Sequence, residues 1–193
     1  MSRIFVVFAI SIILISCSKK QEDSQIVPLI NETILSHEQV YSEFKEELQA
    51  YFESMEKDQQ MFALLRQKNL SQSDKEKLAK LKAEGTAQMA RMESASDRFV
   101  DSTVDLLSLA SATYGVCGDT DIQDNIASLI ATLQSKYADT KDVESYFRGS
   151  IWEYENEFSK FDSDIECMEF SKIRDKMDVL VSETTKLVQT IGA

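Results

Sequence analysis

The chain is poor in the residues that usually do chemistry. Its 193 residues include one histidine, His37, and three cysteines, Cys17, Cys117 and Cys167. A lone histidine excludes a His-Glu-x-x-His zinc site and the paired Glu-x-x-His motif of a di-iron bundle. No Cys-x-x-Cys-His motif offers a haem attachment, and no Cys-x-x-Cys favours a redox pair. There is no Gly-x-Ser-x-Gly elbow and no glycine-rich phosphate cradle. What remains is carboxylate. Asp119, Asp121 and Asp124 follow Cys117, and Asp162, Asp164 and Glu166 precede Cys167. Such oxygen clusters suit a hard cation like calcium. The segment starting at Asp119 nevertheless has aspartate at loop position six and isoleucine at position twelve, where an EF-hand needs glycine and glutamate. Acids at helix starts are expected in any case, because they cap the chain and face the positive end of the dipole. Capping is the expected role, and Asp119, Asp121, Asp162, Asp164 and Glu166 are only weak metal candidates. No cofactor is expected. Carboxylates alone can support hydrolysis, which leaves a carboxylate-based hydrolase as one alternative.

Positioning these groups falls to helices. One proline, five glycines and abundant Glu, Lys, Leu, Ala and Gln favour helix over strand. No period-two alternation runs long enough for a sheet. The expected fold is all-α, an antiparallel bundle of four or five helices.

The N-terminus addresses the chain. Arg3 is followed by an apolar run from Ile4 to Ile15, then Ser16-Cys17, then the polar residues Ser18 to Ser24. A charged start, a short apolar run and a small-residue cleavage site describe a secretory signal peptide. The run of about twelve residues is too short for a spanning helix, which needs about twenty. Leu14-Ile15-Ser16-Cys17 resembles the lipobox of bacterial lipoproteins. That resemblance covers the first seventeen residues. It implies cleavage of residues 1–16 and acylation of Cys17, with membrane attachment through the acyl chains. Serine rather than aspartate at position 18 resembles the outer-membrane class of these lipoproteins. Loss of residues 1–16 would remove Arg3 and no acid, moving the formal net charge from −12 to −13. Such a charge argues against nucleic acid as a partner, since phosphate binding needs a positive face. It also argues against broad adsorption to an anionic bilayer.

Residues 17–35 are expected to be a flexible tether, with the apolar Ile26-Val27-Pro28-Leu29-Ile30 lying against a single domain at 36–193. Ser36-His37-Glu38-Gln39 reads as a capping box opening the first helix, which puts His37 on its surface. Tyr41, Phe44, Leu48, Tyr51, Met55, Phe62 and Leu65 then mark a stripe interrupted by Asp58. Ser71 or Ser73 can open a second helix with the stripe Leu78, Leu81, Met89, Met92, Phe99, Thr103, Leu106, Ala110 and Tyr114. Gly85 falls where a core residue is due, and Gly115 is expected to end that helix. A third stripe runs from Ile122 to Tyr137 and a fourth from Val143 to Phe161. A fifth runs from Phe170 to Ile191, after a phase slip at Asp162–Glu166.

Helix lengths bring Cys117 and Cys167 to one end of the bundle. The third helix goes out by about 25 Å and the fourth returns by about 31 Å at 1.5 Å per residue. Outside the cytoplasm such a pair is expected to form a disulfide. The opposite end is basic. From Arg66 to Arg91 seven basic residues stand against Asp74, Glu76 and Glu84. Lys75, Lys77, Lys80 and Lys82 are therefore candidates for docking an acidic partner. Trp152, beside the fourth stripe, is a candidate interface anchor if exposed. The expected function is non-catalytic binding or scaffolding towards another envelope protein, like the small helical pilot, immunity or exclusion lipoproteins. That likeness is one of architecture. A ligand or cation carrier with an interhelical pocket is the main alternative.

Overall fold

Apolar residues recur at spacings of three and four from Ile26 onwards, and they dictate the first helix. In the computed structural model, Ile26, Ile30, Ile34, His37 and Phe44 are buried along one face of helix α1, Ile26–Leu65. The structure describes residues 24–67, 69–118, 120–137 and 141–191. The segment likened to a signal peptide, the lipobox and Cys17 lie outside the described residues, as does Asp119.

The start of α1 corrects two expectations. Residues 26–35 are helix rather than tether, and Ser36 caps nothing because it lies within the helix. The reason is the position of Pro28. As the third residue of the helix it lacks an N–H that would have had no intrahelical acceptor, so it costs the helix nothing. His37 is accordingly a core residue, not a surface one.

Helix α2, Gln72–Val116, opens on Ser71, whose hydroxyl accepts from the Asp74 amide while the Asp74 carboxylate accepts from the Ser71 amide. Its stretch from Leu106 to Tyr114 is buried on every side. Alternation of Leu with Ser, Ala and Thr there lets neighbours approach all round. The remaining helices are α3 (Thr120–Tyr137), α4 (Val143–Phe158), α5 (Ser163–Phe170) and α6 (Arg174–Ile191). Among the described residues there are six helices and no strand. The all-α bundle is as expected, with one helix more. The break after Phe158 matches the phase slip, and a further turn at Ser171–Ile173 separates α5 from α6. Asp162 caps α5 by accepting from the Asp164 and Ile165 amides. Asp142 caps α4 through the Ser145 amide. The left-handed turn after α2 falls at Gly118, φ 77°, rather than at Gly115.

Helices α3 to α6 gather round the second half of α2 and the first half of α1. Tyr137, at the end of α3, reaches Ser96 at 2.9 Å, and Lys141 reaches Asp101 at 2.6 Å. These contacts mark the upper rim of the body. Beyond it α1 and α2 continue as a bare antiparallel hairpin, from about residue 45 round to residue 94. Among the described residues of that arm, only Leu64 and Gln88 are buried. Some twenty residues in each helix make it about 30 Å long. No described helix is long and apolar enough to cross a membrane.

Candidate functional site

Three places concentrate chemistry, and they are spread along the molecule. The first is the pole where the described chain begins. Cys117 and Cys167 form a disulfide there, with Cα atoms 5.5 Å apart, as the helix lengths predict. Beside it stands Glu166, 4% exposed. Its carboxylate accepts from the Gln25 amide at 2.8 Å, from the Ile26 amide at 3.0 Å and from the Ser24 hydroxyl. Ser24 Oγ in turn accepts from the Val27 amide at 3.0 Å. With Pro28 next, each backbone donor of the first turn of α1 is satisfied or absent. Glu166 is thus a cap supplied by a different helix, one residue from the cystine. Tyr114 completes the pole. Its hydroxyl donates to Asp178, whose other oxygen pairs with Arg174 at 3.7 Å, while the guanidinium lies 5.6 Å from the Tyr114 ring centroid.

This use of Glu166 and Asp162 removes them from any cation site. Both oxygens of Glu166 point at helix donors, and Asp162 caps α5. Asp164 is exposed. The side chain of Asp121 and the whole of Asp119 fall outside the description. Among the described residues no group of three or more His, Cys, Asp or Glu side chains is placed to hold a metal.

The second place is a groove of about 1150 Å³ between α2 and α4. Asp97, Asp101 and Asp105 share one row of α2 at spacings of four. Lys141 Nζ lies 3.8 Å from Asp97 and 2.6 Å from Asp101. The Tyr146 hydroxyl donates to Asp105 Oδ1 at 2.6 Å. Burial pushes the Asp105 carboxyl above its ordinary range; the Tyr146 hydrogen bond opposes this and the charge of Asp101 adds to it. Burial, then Asp105 and Glu153, push the Tyr154 phenol up to about 12. Burial and the Asp105 carboxylate raise Tyr146 as well. The spacing of the three aspartates was visible in the sequence. What faces them was not, because that depends on how α4 packs.

The third place is the arm. Lys75, Lys77, Lys80 and Lys82 are all exposed on it, and Lys80 lies 3.8 Å from Glu84. No ion pair engages Lys75, Lys77 or Lys82 among the described residues. Trp152 is 68% exposed but sits on α4 in the body, so it and the lysines do not share a surface. Arg148, one turn before Trp152, pairs with Glu144 at 3.1 Å. Several stripe residues also turn outward. Met55, Phe62, Leu65 and Met89 are exposed, as is Phe52 beside the first stripe, whereas Gln88 is buried, with its amide nitrogen 3.1 Å from Glu47. The two irregularities of the stripes meet: a Cβ on Gly85 would lie 3.8 Å from Asp58 Oδ1.

His37 lies between the pole and the arm. Its Nδ1 is 3.0 Å from Ser102 Oγ on α2, and its Nε2 is 3.0 Å from Thr184 Oγ1 on α6. Burial lowers its pKa to about 4, against a smaller opposing effect of the hydrogen bond to Ser102. The signal for this role was its place in the row Ile30, Ile34, His37, Tyr41, Phe44.

The chain matches no known family, no curated protein and no solved structure.

Proposed function

We propose that this chain is a lipid-anchored helical adaptor of the bacterial cell envelope, held at the membrane by acyl chains on Cys17 and binding another envelope protein without catalysis. The observation that carries this reading is the polarity of the molecule. Glu166 clamps residues 24–26 to the disulfide pole, while the arm leaves the opposite side of the body. Cys17 lies seven residues before Ser24. That length of chain spans no more than about 24 Å even when stretched. A tether running to residue 35 would instead span about 60 Å at roughly 3.4 Å per residue. The body would then stand close to the membrane, and the arm tip would be the part furthest from it. The lysines on the arm favour a partner with an acidic surface. Ser18 favours the outer membrane as the site of attachment.

Metabolic labelling with a palmitate analogue, with and without Cys17→Ala, tests the anchor. Label and membrane fractionation should both vanish in the variant, and an unlabelled wild-type chain ends the reading. Photocrosslinking from position 77 in intact cells tests the adaptor role and should trap a second envelope protein.

The groove between α2 and α4 favours a second reading, as carrier of a small organic cation. Its lining by Asp101, Asp105 and Glu153, with Tyr146 and Tyr154, suits an amine. Titration calorimetry with a polyamine, using Asp105→Asn as control, decides it; no heat at millimolar amine removes it.

A further inference from the structure

The arm has two unlike sides. Lys57–Glu84 at 3.2 Å and Glu47–Arg91 at 3.6 Å join α1 to α2 along one of them, and Glu43–Arg98 at 2.9 Å continues that row just below the arm. Helical periodicity places Phe52, Met55 and Phe62 of α1 and Met89 of α2 on the other. Phe52 is 56% exposed and Met89 65%. The ion pairs also fix the register. With Lys57 beside Glu84 and Glu43 beside Arg98, Phe52 stands level with Met89. Glu56 lies within about 4.5 Å, along the axis, of the level of Lys82, and Lys45 within about the same of Glu93. All four charged side chains are exposed.

We propose that two copies of this chain pair through this face, with their arms side by side and their tips pointing the same way. A twofold axis parallel to the arms places α1 of one copy against α2 of the other. Phe52 then meets Met89 of the second copy, a sulfur–aromatic contact. Glu56 meets Lys82, and Lys45 meets Glu93, each of these contacts occurring twice. The opposite arrangement, with antiparallel arms, lays α1 on α1 and α2 on α2. Residues 45–65 carry two basic and five acidic side chains, and residues 66–93 carry seven basic and four acidic. Charge therefore selects the parallel pair. The product is a four-helix coil whose core is completed by residues that the lone hairpin leaves in water. A face about 30 Å by 20 Å gives about 600 Å² per copy, near the lower bound for a specific interface. The dimer is expected to be reversible. It goes beyond the adaptor reading and does not need the acyl anchor.

Full-length copies carrying Phe52→Cys and Met89→Cys, each with its own epitope tag, can be co-expressed and treated with a short bismaleimide. The mixed-tag species should exceed the one formed by two Phe52→Cys copies; an excess of that same-site species overturns the parallel arrangement. In sedimentation equilibrium of the full-length chain in detergent, Glu56→Lys should raise the dimer Kd about tenfold, because the twofold axis removes two ion pairs at once. Adding Lys82→Glu should restore it to within about twofold of the wild type. Far-UV circular dichroism confirms that both variants stay helical. A wild-type chain still monomeric at about 100 µM, or a double variant that stays as weak as the single one, overturns the proposal.

Discussion

The body and the arm are made from the same two helices, yet they are stabilised in opposite ways. In the body, α1 and α2 are covered by four further helices, and buried polar groups there are paired, with the hydroxyl of Thr103 the exception. His37 has Ser102 and Thr184, and Glu166 has three donors. In the arm the seam between the helices contains Ser54, Asp58, Gly85 and Gln88, and of its described large apolar side chains only Leu64 is buried, while Phe52, Met55, Phe62, Leu65 and Met89 are exposed. A lone two-helix hairpin with such a seam has little to hold it, so its helices should open at lower free energy than the body. The difference shows how one continuous helix can belong to two units of unequal stability. The substitutions below should separate them.

The largest effect is expected at the pole. Reducing the Cys117–Cys167 bridge, or replacing it with Cys117→Ser and Cys167→Ser, opens a loop of 50 residues. In the chain-entropy model this removes about 4 kcal/mol from the unfolding free energy. Urea titration should show the midpoint of the body falling, while amide exchange in residues 48–65 stays unchanged. Equal loss in both regions would mean that arm and body unfold as one.

Acid should act next, and again on the body. The neutral form of His37 is favoured by burial, with a folded pKa of about 4 against an unfolded value of 6.5. Its contribution is complete above pH 6.5 and fades as pH falls towards 4, where the unfolded chain binds the proton more readily. The full span is worth about 3 kcal/mol. Melting temperature measured between pH 7 and pH 4 should fall more for the wild type than for His37→Gln. Parallel slopes would show that His37 is not the group responsible.

Glu166→Ala tests the clamp at the start of α1. It strips the Gln25 and Ile26 amides of their acceptor and should cost about 2 kcal/mol. Exchange should speed up first in residues 25–30. An effect confined to α5, where Glu166 itself resides, would show that the link to α1 adds nothing.

How far these features could be read in advance follows from their physics. The stripes and the disulfide were legible because they depend on helix periodicity and helix length alone. The first ten residues of α1 were not. Pro28 reads as a breaker, and its harmlessness depends on lying three residues into a helix whose start is capped by a residue 140 positions away from Ile26. His37 was missed with them, although it continues the row from Ile30 to Phe44. Met55, Phe62 and Met89 look like core positions by spacing. They are exposed because only one partner helix is present along the arm, and one helix covers a narrower face than a bundle does. Asp58 and Gly85 were each visible as interruptions, but that they face one another depends on the register of the hairpin. The groove between α2 and α4 was illegible for a similar reason, since Asp105 and Tyr146 meet only through packing.

That facing pair supplies the smallest and most local test. Gly85 is helical with ordinary room beside it: the nearest atom to an added Cβ would be Asp58 Oδ1, at 3.8 Å. Nothing at that distance must move, so alanine should gain about 1 kcal/mol through the reduced freedom of the unfolded chain. The gain belongs to the arm alone. Amide exchange should slow in residues 50–62 and 80–90 by up to about fivefold, whereas the urea midpoint of the body stays where it is. Were the midpoint to rise as well, the arm would be part of the cooperative core, and the division between the two regions would be one of shape only.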